Sequence, residues 1–166
     1  MDVAQQFKTQ LEIQELNARY VQAIDDNRLE AWPDFFIDQG RYLVTTAENV
    51  ERGLPLGMIY ATSRAMLRDR VRSLRDANVY EAQRYRHVIG APLVEGGSDG
   101  ARPRIVQART NFIVARVMQS GETMLFATGC YVDRIVVDDA DGIARFAEKT
   151  VILDSRQVDT LLAIPL

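Results

Sequence analysis

Residues 105–137, IVQARTNFIVARVMQSGETMLFATGCYVDRIVV, decide the fold of this chain. The stretch contains two long segments rich in β-branched and aromatic residues, Ile105 to Met118 and Glu122 to Val137, with Ser120-Gly121 between them. Long strands joined by so short a turn predict an antiparallel hairpin. We therefore expect these residues to belong to a long, curled antiparallel meander.

Two further β-prone segments flank this hairpin. Tyr85 to Ile89 precedes it and Ile143 to Leu153 follows it, with turn-forming residues at 96–100 and 138–142. An earlier strand is expected at Arg41 to Thr46. The glycines and prolines that follow predict a loop without regular structure as far as Ile59.

The first third of the chain has helical periodicity. Asp2 can cap the first helix, and Asp25-Asp26-Asn27 should end it. Its expected apolar stripe recurs at spacings of four or five residues. The stripe consists of Phe7, Leu11, Leu16, Tyr20 and Ile24.

Two more helices are expected before the meander. A short one should carry Pro33 in its first turn and end at Gly40. A longer one should begin after the N-cap candidate Ser63 and run to about Asp76. Its apolar side is formed by Met66, Leu67, Val71 and Leu74.

Helices that precede a meander predict an α+β fold with the helices packed on one face of one sheet. The chain has 166 residues, of which 47% are hydrophobic and 26% charged. This composition is sufficient for a hydrophobic core without disulfide or metal support. We expect a single domain over residues 1–166.

The chain contains one histidine, His87, and one cysteine, Cys130. A mononuclear non-haem iron usually takes two histidines and a carboxylate, and a Rieske cluster takes two histidines and two cysteines. Neither ligand set can be assembled from this polypeptide alone. We therefore expect no metal or cofactor held by this chain alone, and any redox centre should lie on a partner or be shared across a subunit boundary.

The charge pattern gives little attraction to polyanions. The formal net charge is −3, and the first residues lack the basic and apolar regions of a signal peptide. No apolar stretch approaches the roughly 20 residues needed to span a bilayer. These features predict a soluble, cytoplasmic protein that binds neither nucleic acid nor membranes.

Arginine dominates the basic residues. Eighteen of the 20 basic side chains are arginine, which suits either protein interfaces or a GC-rich genome. An arginine series at 64–86 is interleaved with Asp69, Asp76 and Glu81, which favours a solvated face or protein contact over RNA binding.

Residues 138–142 resemble a calcium loop but lack its ligand order, so we interpret them as a turn.

The best local candidate for chemistry is the segment Arg84-Tyr85-Arg86-His87. Strand alternation places Tyr85 and His87 on one face and the two arginines on the other. If the sheet and first helix enclose a pocket, a carboxylate beside His87 could transfer protons. The candidate pocket residues are Tyr20, Asp25, Asp26, Tyr42 and His87. A structural role for a single histidine is nevertheless the commoner case.

Several segments together resemble one family along nearly the whole chain. They are Trp32-Pro33-Asp34-Phe35-Phe36, Gly40-Arg41-Tyr42, Met66 to Val71, Arg84 to Gly90, Phe126 to Tyr131 and Ala163-Ile164-Pro165-Leu166. In this order they resemble the small, or beta, subunit of aromatic-ring-hydroxylating dioxygenases. The likeness is greatest to the small subunits of terephthalate dioxygenase and salicylate hydroxylase, which act on aromatic carboxylates.

The resemblance implies a cone-shaped fold like that of nuclear transport factor 2 (NTF2-like), with a strongly curved, mainly antiparallel sheet around helices. It also implies a homotrimer of beta chains within an α3β3 hexamer. The alpha subunit would carry the Rieske [2Fe-2S] cluster and the mononuclear Fe(II), and a reductase would deliver electrons from NAD(P)H. The beta chain would be a non-catalytic, supporting subunit.

Within this family, we expect six residues to help form contacts with alpha or neighbouring beta chains. They are Trp32, Phe35, Phe36, Arg84, Arg86 and His87. The alternative is a free-standing dehydratase or isomerase of the same cone fold, with Tyr20, Asp25, Tyr42 and His87 in its pocket. A binding or scaffold protein outside any oxidoreductase is a third possibility.

Overall fold

The computed structural model describes residues 3–77, 81–97, 103–138, 142–157 and 162–166. The candidate cap Asp2 and most of the turns at 96–100 and 138–142 lie outside these ranges. The helices are α1 (Val3–Asp25), a 3-10 helix (Leu29–Phe35), α2 (Ala47–Glu51) and α3 (Arg64–Asp76). The strands are β1 (Phe36–Thr46), β2 (Ile59–Ala61), β3 (Gln83–Ile89), β4 (Leu93–Gly97), β5 (Arg104–Met118), β6 (Thr123–Asp138) and β7 (Ile143–Leu153).

The predicted hairpin is the long pair β5–β6. The two strands pair antiparallel from Arg104 opposite Val137 to Val117 opposite Thr123, and β7 continues the meander beyond β6. The strand order is β2-β1-β7-β6-β5-β3, with β4 also pairing with β5. Among the described strands, β1 and β7 form the one parallel pair. The expected α+β fold with a mainly antiparallel, curled sheet is confirmed.

The first helix ends at Asp25 as predicted, but its predicted apolar stripe is partly wrong. Phe7 and Leu11 are exposed, whereas Thr9 and Ile13 are fully buried. The N-terminal half of α1 therefore buries a different face from the predicted one. This face includes the polar Thr9 because β5 supplies a partner for it: Arg104 Nη1 donates to Thr9 Oγ1 at 2.9 Å. From Leu16 onward the stripe is correct, since Leu16, Tyr20 and Ile24 are buried.

The second helix differs from its prediction at both ends. It is a 3-10 helix in which Pro33 is the fifth residue, and it ends at Phe35. Gly40 does not end it but lies inside β1, where the pairing register with β7 shifts. A Cβ at Gly40 would lie 2.8 Å from the Ile37 carbonyl oxygen, so this irregular strand segment needs glycine.

The segment predicted to lack regular structure contains a short helix. In α2, Thr46 Oγ1 accepts a hydrogen bond from Asn49 N at 3.2 Å and so acts as the N-cap. The N-cap predicted for α3 is confirmed, because Ser63 Oγ accepts a hydrogen bond from Met66 N at 3.3 Å. The apolar side of α3 is buried at Leu67, Val71 and Leu74, while Met66 is exposed.

Two elements absent from the sequence prediction complete the sheet. The three-residue strand β2 pairs with β1, and β4 pairs with β5 where a turn at Gly96 and Gly97 is predicted. Gly96 and Gly97 instead belong to the strand, because their backbone pairs with the long β5, and the pairing register shifts between Val94 and Gly96. Tertiary pairing therefore overrides local turn propensity here.

Arginines on α3 attach this helix to its surroundings. Arg75 makes a two-pronged contact with Glu30, with Nε–Oε1 at 2.7 Å and Nη2–Oε2 at 3.0 Å. Arg64 pairs with Asp38 at 3.1 Å, and Arg70 donates to the Ala163 carbonyl oxygen at 3.0 Å. Arginine suits these positions because its planar fork can serve two acceptors at once.

Large aromatic side chains fill the space between the helices and the inner face of the sheet. Several of them pack edge to face, as Trp32 does with Tyr42 at a centroid distance of 5.0 Å. The fully buried aromatic residues are Trp32, Tyr20, Tyr42, Tyr131, Phe36 and Phe146. Within the described ranges, no helix is both long and apolar enough to cross a membrane.

Candidate functional site

The histidine and carboxylate predicted to meet do form a pair. Asp25, the last residue of α1, faces β3, and its Oδ1 lies 2.6 Å from His87 Nδ1. Its second oxygen, Oδ2, accepts from the His87 backbone N–H at 2.9 Å. Arg86 Nη1 lies 3.8 Å from the same Oδ2. One carboxylate therefore connects the end of α1 to β3.

This geometry fixes the histidine tautomer when the ring is neutral. Asp25 can only accept, so Nδ1 carries the hydrogen and Nε2 presents its lone pair. Nε2 is buried and has no partner among the described residues, and the His87 side chain is 0% exposed. An Asp–His pair of this kind can move a proton, but the enclosed ring gives a substrate no access to Nε2 in this conformation.

The two candidate pocket tyrosines lie in a different cluster. Tyr20 Oη and Tyr42 Oη both donate to the Leu166 carbonyl oxygen, at 2.7 and 3.1 Å. Trp32 Nε1 donates to Tyr20 Oη at 3.2 Å. Burial raises the pKa of Tyr42 to about 12, so both hydroxyls stay protonated donors. The predicted pocket thus splits into an Asp25–His87 pair and a separate tyrosine cluster.

A buried ion pair, which the sequence analysis does not identify, lies on the inner face of the sheet. Asp133 and Lys149 are directly opposite on β6 and β7, and Lys149 Nζ lies 3.0 Å from Asp133 Oδ2 and 3.2 Å from Oδ1. Both side chains are 0% exposed. The ammonium also lies 3.7 Å from the Tyr131 ring centroid and 4.3 Å from that of Phe146.

Burial determines the ionisation of this pair. Loss of hydration raises the pKa of Asp133 to about 6, although the Lys149 ammonium acts in the opposite direction. Burial likewise lowers the pKa of Lys149, against the attraction of Asp133. The aromatic rings compensate part of the lost hydration by cation–π contact. Strand alternation could have identified the pair, because Asp133 lies between the inward-facing residues Tyr131 and Ile135.

The six predicted interface residues lie in very different surroundings. Trp32 and Phe36 are 0% exposed within this chain, so any effect they have on subunit contact must be indirect. His87 is also buried, and Phe35 is partly buried. Arg84 and Arg86 are exposed and line an open cleft of about 1250 Å³ at the end of α1. These two residues remain available for direct contact.

The fold and the site together define a class of protein. A curled sheet wraps helices as in the NTF2-like cone, and its interior is filled by aromatic side chains and a buried ion pair. A family model described as "Ring hydroxylating beta subunit" matches residues 19–160. The chain belongs to this family, the beta subunits of aromatic-ring-hydroxylating dioxygenases.

Individual relatives agree with the family model over nearly the whole chain. The chain is 41% identical over 157 residues to the beta 2 subunit of the terephthalate 1,2-dioxygenase terminal oxygenase component from Comamonas sp., covering 95% of this chain and 98% of the relative. It is 38% identical over 165 residues to the anthranilate 1,2-dioxygenase small subunit from Burkholderia cepacia, covering 99% of each. The expected family resemblance is confirmed.

A solved structure supports the same assignment. It is a crystal structure assigned as the beta subunit of an aromatic-ring-hydroxylating dioxygenase from Novosphingobium aromaticivorans, with a TM-score of 0.84 and 39% identity. The match covers 99% of this chain and all of that chain. The free-standing dehydratase or isomerase is not favoured, because the full-length relatives are oxygenase subunits.

Proposed function

We propose that this chain is a non-catalytic beta subunit that supports a Rieske-type alpha subunit hydroxylating an aromatic carboxylate. The observation that carries the proposal is the full-length identity to small subunits of dioxygenases named for terephthalate and anthranilate, both aromatic carboxylates. The proposed assembly is an α3β3 hexamer in the cytoplasm. Its electrons would come from NAD(P)H through a reductase.

The side chains of this protein do not fit an iron or iron–sulfur group. His87 uses Nδ1 to donate to Asp25 and is enclosed, while Cys130 lies on the opposite face of the sheet beside Arg109. Burial raises the pKa of the Cys130 thiol, which disfavours a thiolate ligand. Within residues that the structure describes, no three His, Cys, Asp or Glu side chains are grouped to hold a metal ion.

The filled interior is a second argument for a non-catalytic subunit. In this chain the space between the helices and the sheet is taken by Trp32, Tyr20 and Lys149 with their neighbours, all fully buried. A well-packed cone presents a rigid surface to a partner, whereas a catalytic cone needs room for a substrate. Substrate contacts are therefore assigned to the alpha subunit.

Coexpression with a Rieske-type alpha chain tests this proposal. A tag on the present chain should retain the alpha chain through purification, and the complex should hydroxylate terephthalate or anthranilate when reductase and NAD(P)H are supplied. Arg86→Ala should weaken copurification if the exposed β3 arginines contribute to subunit contacts. The matched control is Arg72→Ala, which changes an exposed arginine of α3 paired with Asp69 on its own helix. Failure of the unmodified chain to retain any aromatic-carboxylate alpha chain would contradict the proposal.

A further inference from the structure

The open cleft of about 1250 Å³ at the end of α1 combines apolar side chains with arginines, and we call it the α1-end cleft. It lies between the end of α1, the strand β3 and the end of β5, and side chains of α3 and of the segment 162–166 complete it. The large apolar residues that line it are Ile24, Leu74, Val117, Met118 and Ile164. The cleft can therefore contact a ligand that has both an apolar and a charged part.

The two acidic residues that line the α1-end cleft are already engaged within the chain. Asp25 accepts hydrogen bonds from His87 at both carboxylate oxygens, and its side chain is only 3% exposed. Asp26 Oδ2 accepts from Arg28 Nη2 at 3.3 Å. Three exposed acidic residues of the neighbouring segments do not line the cleft, namely Asp76, Glu81 and Glu122.

The arginines of the α1-end cleft are engaged to different degrees. Arg75 is held by its two-pronged contact with Glu30. Arg86 has a longer contact, 3.8 Å from Nη1 to Asp25 Oδ2, and its side chain is 64% exposed. Arg84 is exposed and has no ion-pair partner among the described residues. The unmatched charge of the cleft is therefore positive, and it lies on two arginines of the same face of β3.

A buried amide is a second, independent indication of a ligand. Gln83 lines the α1-end cleft, and both of its amide atoms, Nε2 and Oε1, are buried without a hydrogen-bond partner among the described residues. Buried polar groups without partners are costly and rare in folded proteins. A hydrogen-bond acceptor bound in the cleft would relieve this cost, because the amide Nε2 could then donate to it.

We propose that the α1-end cleft binds a small aromatic carboxylate. The carboxylate group pairs with Arg84 and Arg86, since the planar guanidinium matches a carboxylate through two parallel hydrogen bonds. The Gln83 amide donates to the same group. The aromatic ring packs on Val117 and Met118, whose side chains are partly exposed at the end of β5.

The ligand's aromatic character rests on the proposed function, because the relatives are named for the aromatic carboxylates terephthalate and anthranilate. The cleft itself specifies an anion with an apolar body. The beta chain thus holds a binding site for the substrate class of its own holoenzyme, outside the alpha subunit. This role goes beyond mechanical support of the alpha chain.

Methyl NMR spectra of the full-length chain without alpha subunit, recorded during a titration with benzoate, test this site. Benzoate should shift the methyl signals of Val117, Met118 and Ile164, with a dissociation constant of about 1 mM or below. The methyl signals of Leu54 and Leu56, which are exposed but lie outside the cleft, should not move. Benzamide is the neutral analogue and should bind at least about tenfold more weakly, because it cannot form the ion pair.

Replacement of single side chains tests the assigned contacts. Arg84→Ala should raise the dissociation constant for benzoate about tenfold, and its exposed position should leave the fold intact by circular dichroism. Arg72→Ala is the matched control and should not change binding, because Arg72 is an exposed arginine that pairs with Asp69 outside the cleft. Gln83→Leu should weaken binding about threefold without lowering the free energy of unfolding, since the amide has no partner in the free chain.

Several outcomes would overturn this proposal. They are benzoate that shifts no methyl signal of the cleft, equal binding of benzoate to Arg84→Ala and to the unmodified chain, and equal binding of benzamide and benzoate. Loss of alpha-chain copurification in Arg84→Ala, without benzoate binding to the unmodified chain, would assign the cleft to the alpha subunit instead. The proposed function fails separately, when the unmodified chain retains no alpha chain.

Discussion

Replacing Lys149 by methionine tests the energetic role of the buried ion pair. Methionine has a similar length and can fill the same space between the rings of Tyr131 and Phe146, but it leaves Asp133 buried without its counterion. At the observed separation of 3.0 Å, the attraction between the two charges is about 5.5 kcal/mol for an effective dielectric constant of about 20. Loss of hydration opposes this attraction by several kcal/mol for each ion.

These two effects predict a large asymmetry between single and double replacement. Lys149→Met should lower the free energy of unfolding by about 3–5 kcal/mol, because a buried carboxylate remains without a partner. This is a large share of the 5–15 kcal/mol typical of a domain. The double variant Asp133→Leu/Lys149→Met removes both charges. Its free energy of unfolding should equal that of the unmodified chain or exceed it by up to about 2 kcal/mol.

The same variant should have a characteristic pH dependence. The pKa of Asp133 in the folded chain, about 6, is already above the ordinary value for aspartate, and removal of the ammonium raises it further. An acid whose pKa is raised on folding destabilises the fold as pH rises from the unfolded toward the folded pKa. The unmodified chain shares this loss up to about pH 6, where its own Asp133 ionises, so the stability deficit of Lys149→Met should grow as pH rises above about 6.

Urea unfolding followed by circular dichroism, at one fixed protein concentration, measures these differences. The double variant controls for packing changes and keeps the test informative if the single variant unfolds. A single variant that is no less stable than the double variant, or a deficit that shrinks as pH rises, would refute the reasoning.

Three other replacements have expected outcomes in the same assay. Asp25→Ala should lower the unfolding free energy by about 3 kcal/mol, because both His87 hydrogen bonds to the carboxylate are lost, and an unchanged midpoint would contradict this. Arg75→Lys should lower it by about 0.5–1 kcal/mol, since a lysine cannot make the two-pronged contact with Glu30, and full retention of stability would argue against a role for that geometry. Tyr131→Phe should raise it by about 1 kcal/mol, because the buried hydroxyl has no partner among the described residues, and a loss of stability would mean that the hydroxyl is satisfied.

The sheet could be predicted well from the sequence because its long strands have local signals. The β5–β6 hairpin and β7 combine β-branched residues with short turns, and their bounds differ from the predicted ones by one residue or none. The short strands β2 and β4 have no such signal, since both depend on pairing with a longer neighbour.

The candidate site was only partly predictable for a different physical reason. The pairing of Asp25 with His87 followed from placing a helix end beside a strand, and the structure contains that contact at 2.6 Å. The buried position of Trp32 depends on how the 3-10 helix packs, which no local pattern specifies. The local sequence around an aromatic residue is the same whether its side chain lies in the core or at the surface. Only the folded structure therefore shows that Trp32 is a core residue.

Iron and turnover measurements on this chain, purified alone and in complex with an alpha chain, distinguish a supporting subunit from one that carries its own oxidising centre. We expect a colourless preparation of the lone chain, with neither iron nor oxygenase activity towards an aromatic carboxylate supplied with reductant and dioxygen. The complex should contain iron in proportion to its alpha chain and should turn over the substrate. Stoichiometric iron with oxygenase turnover in the lone chain would contradict a non-catalytic role for this subunit.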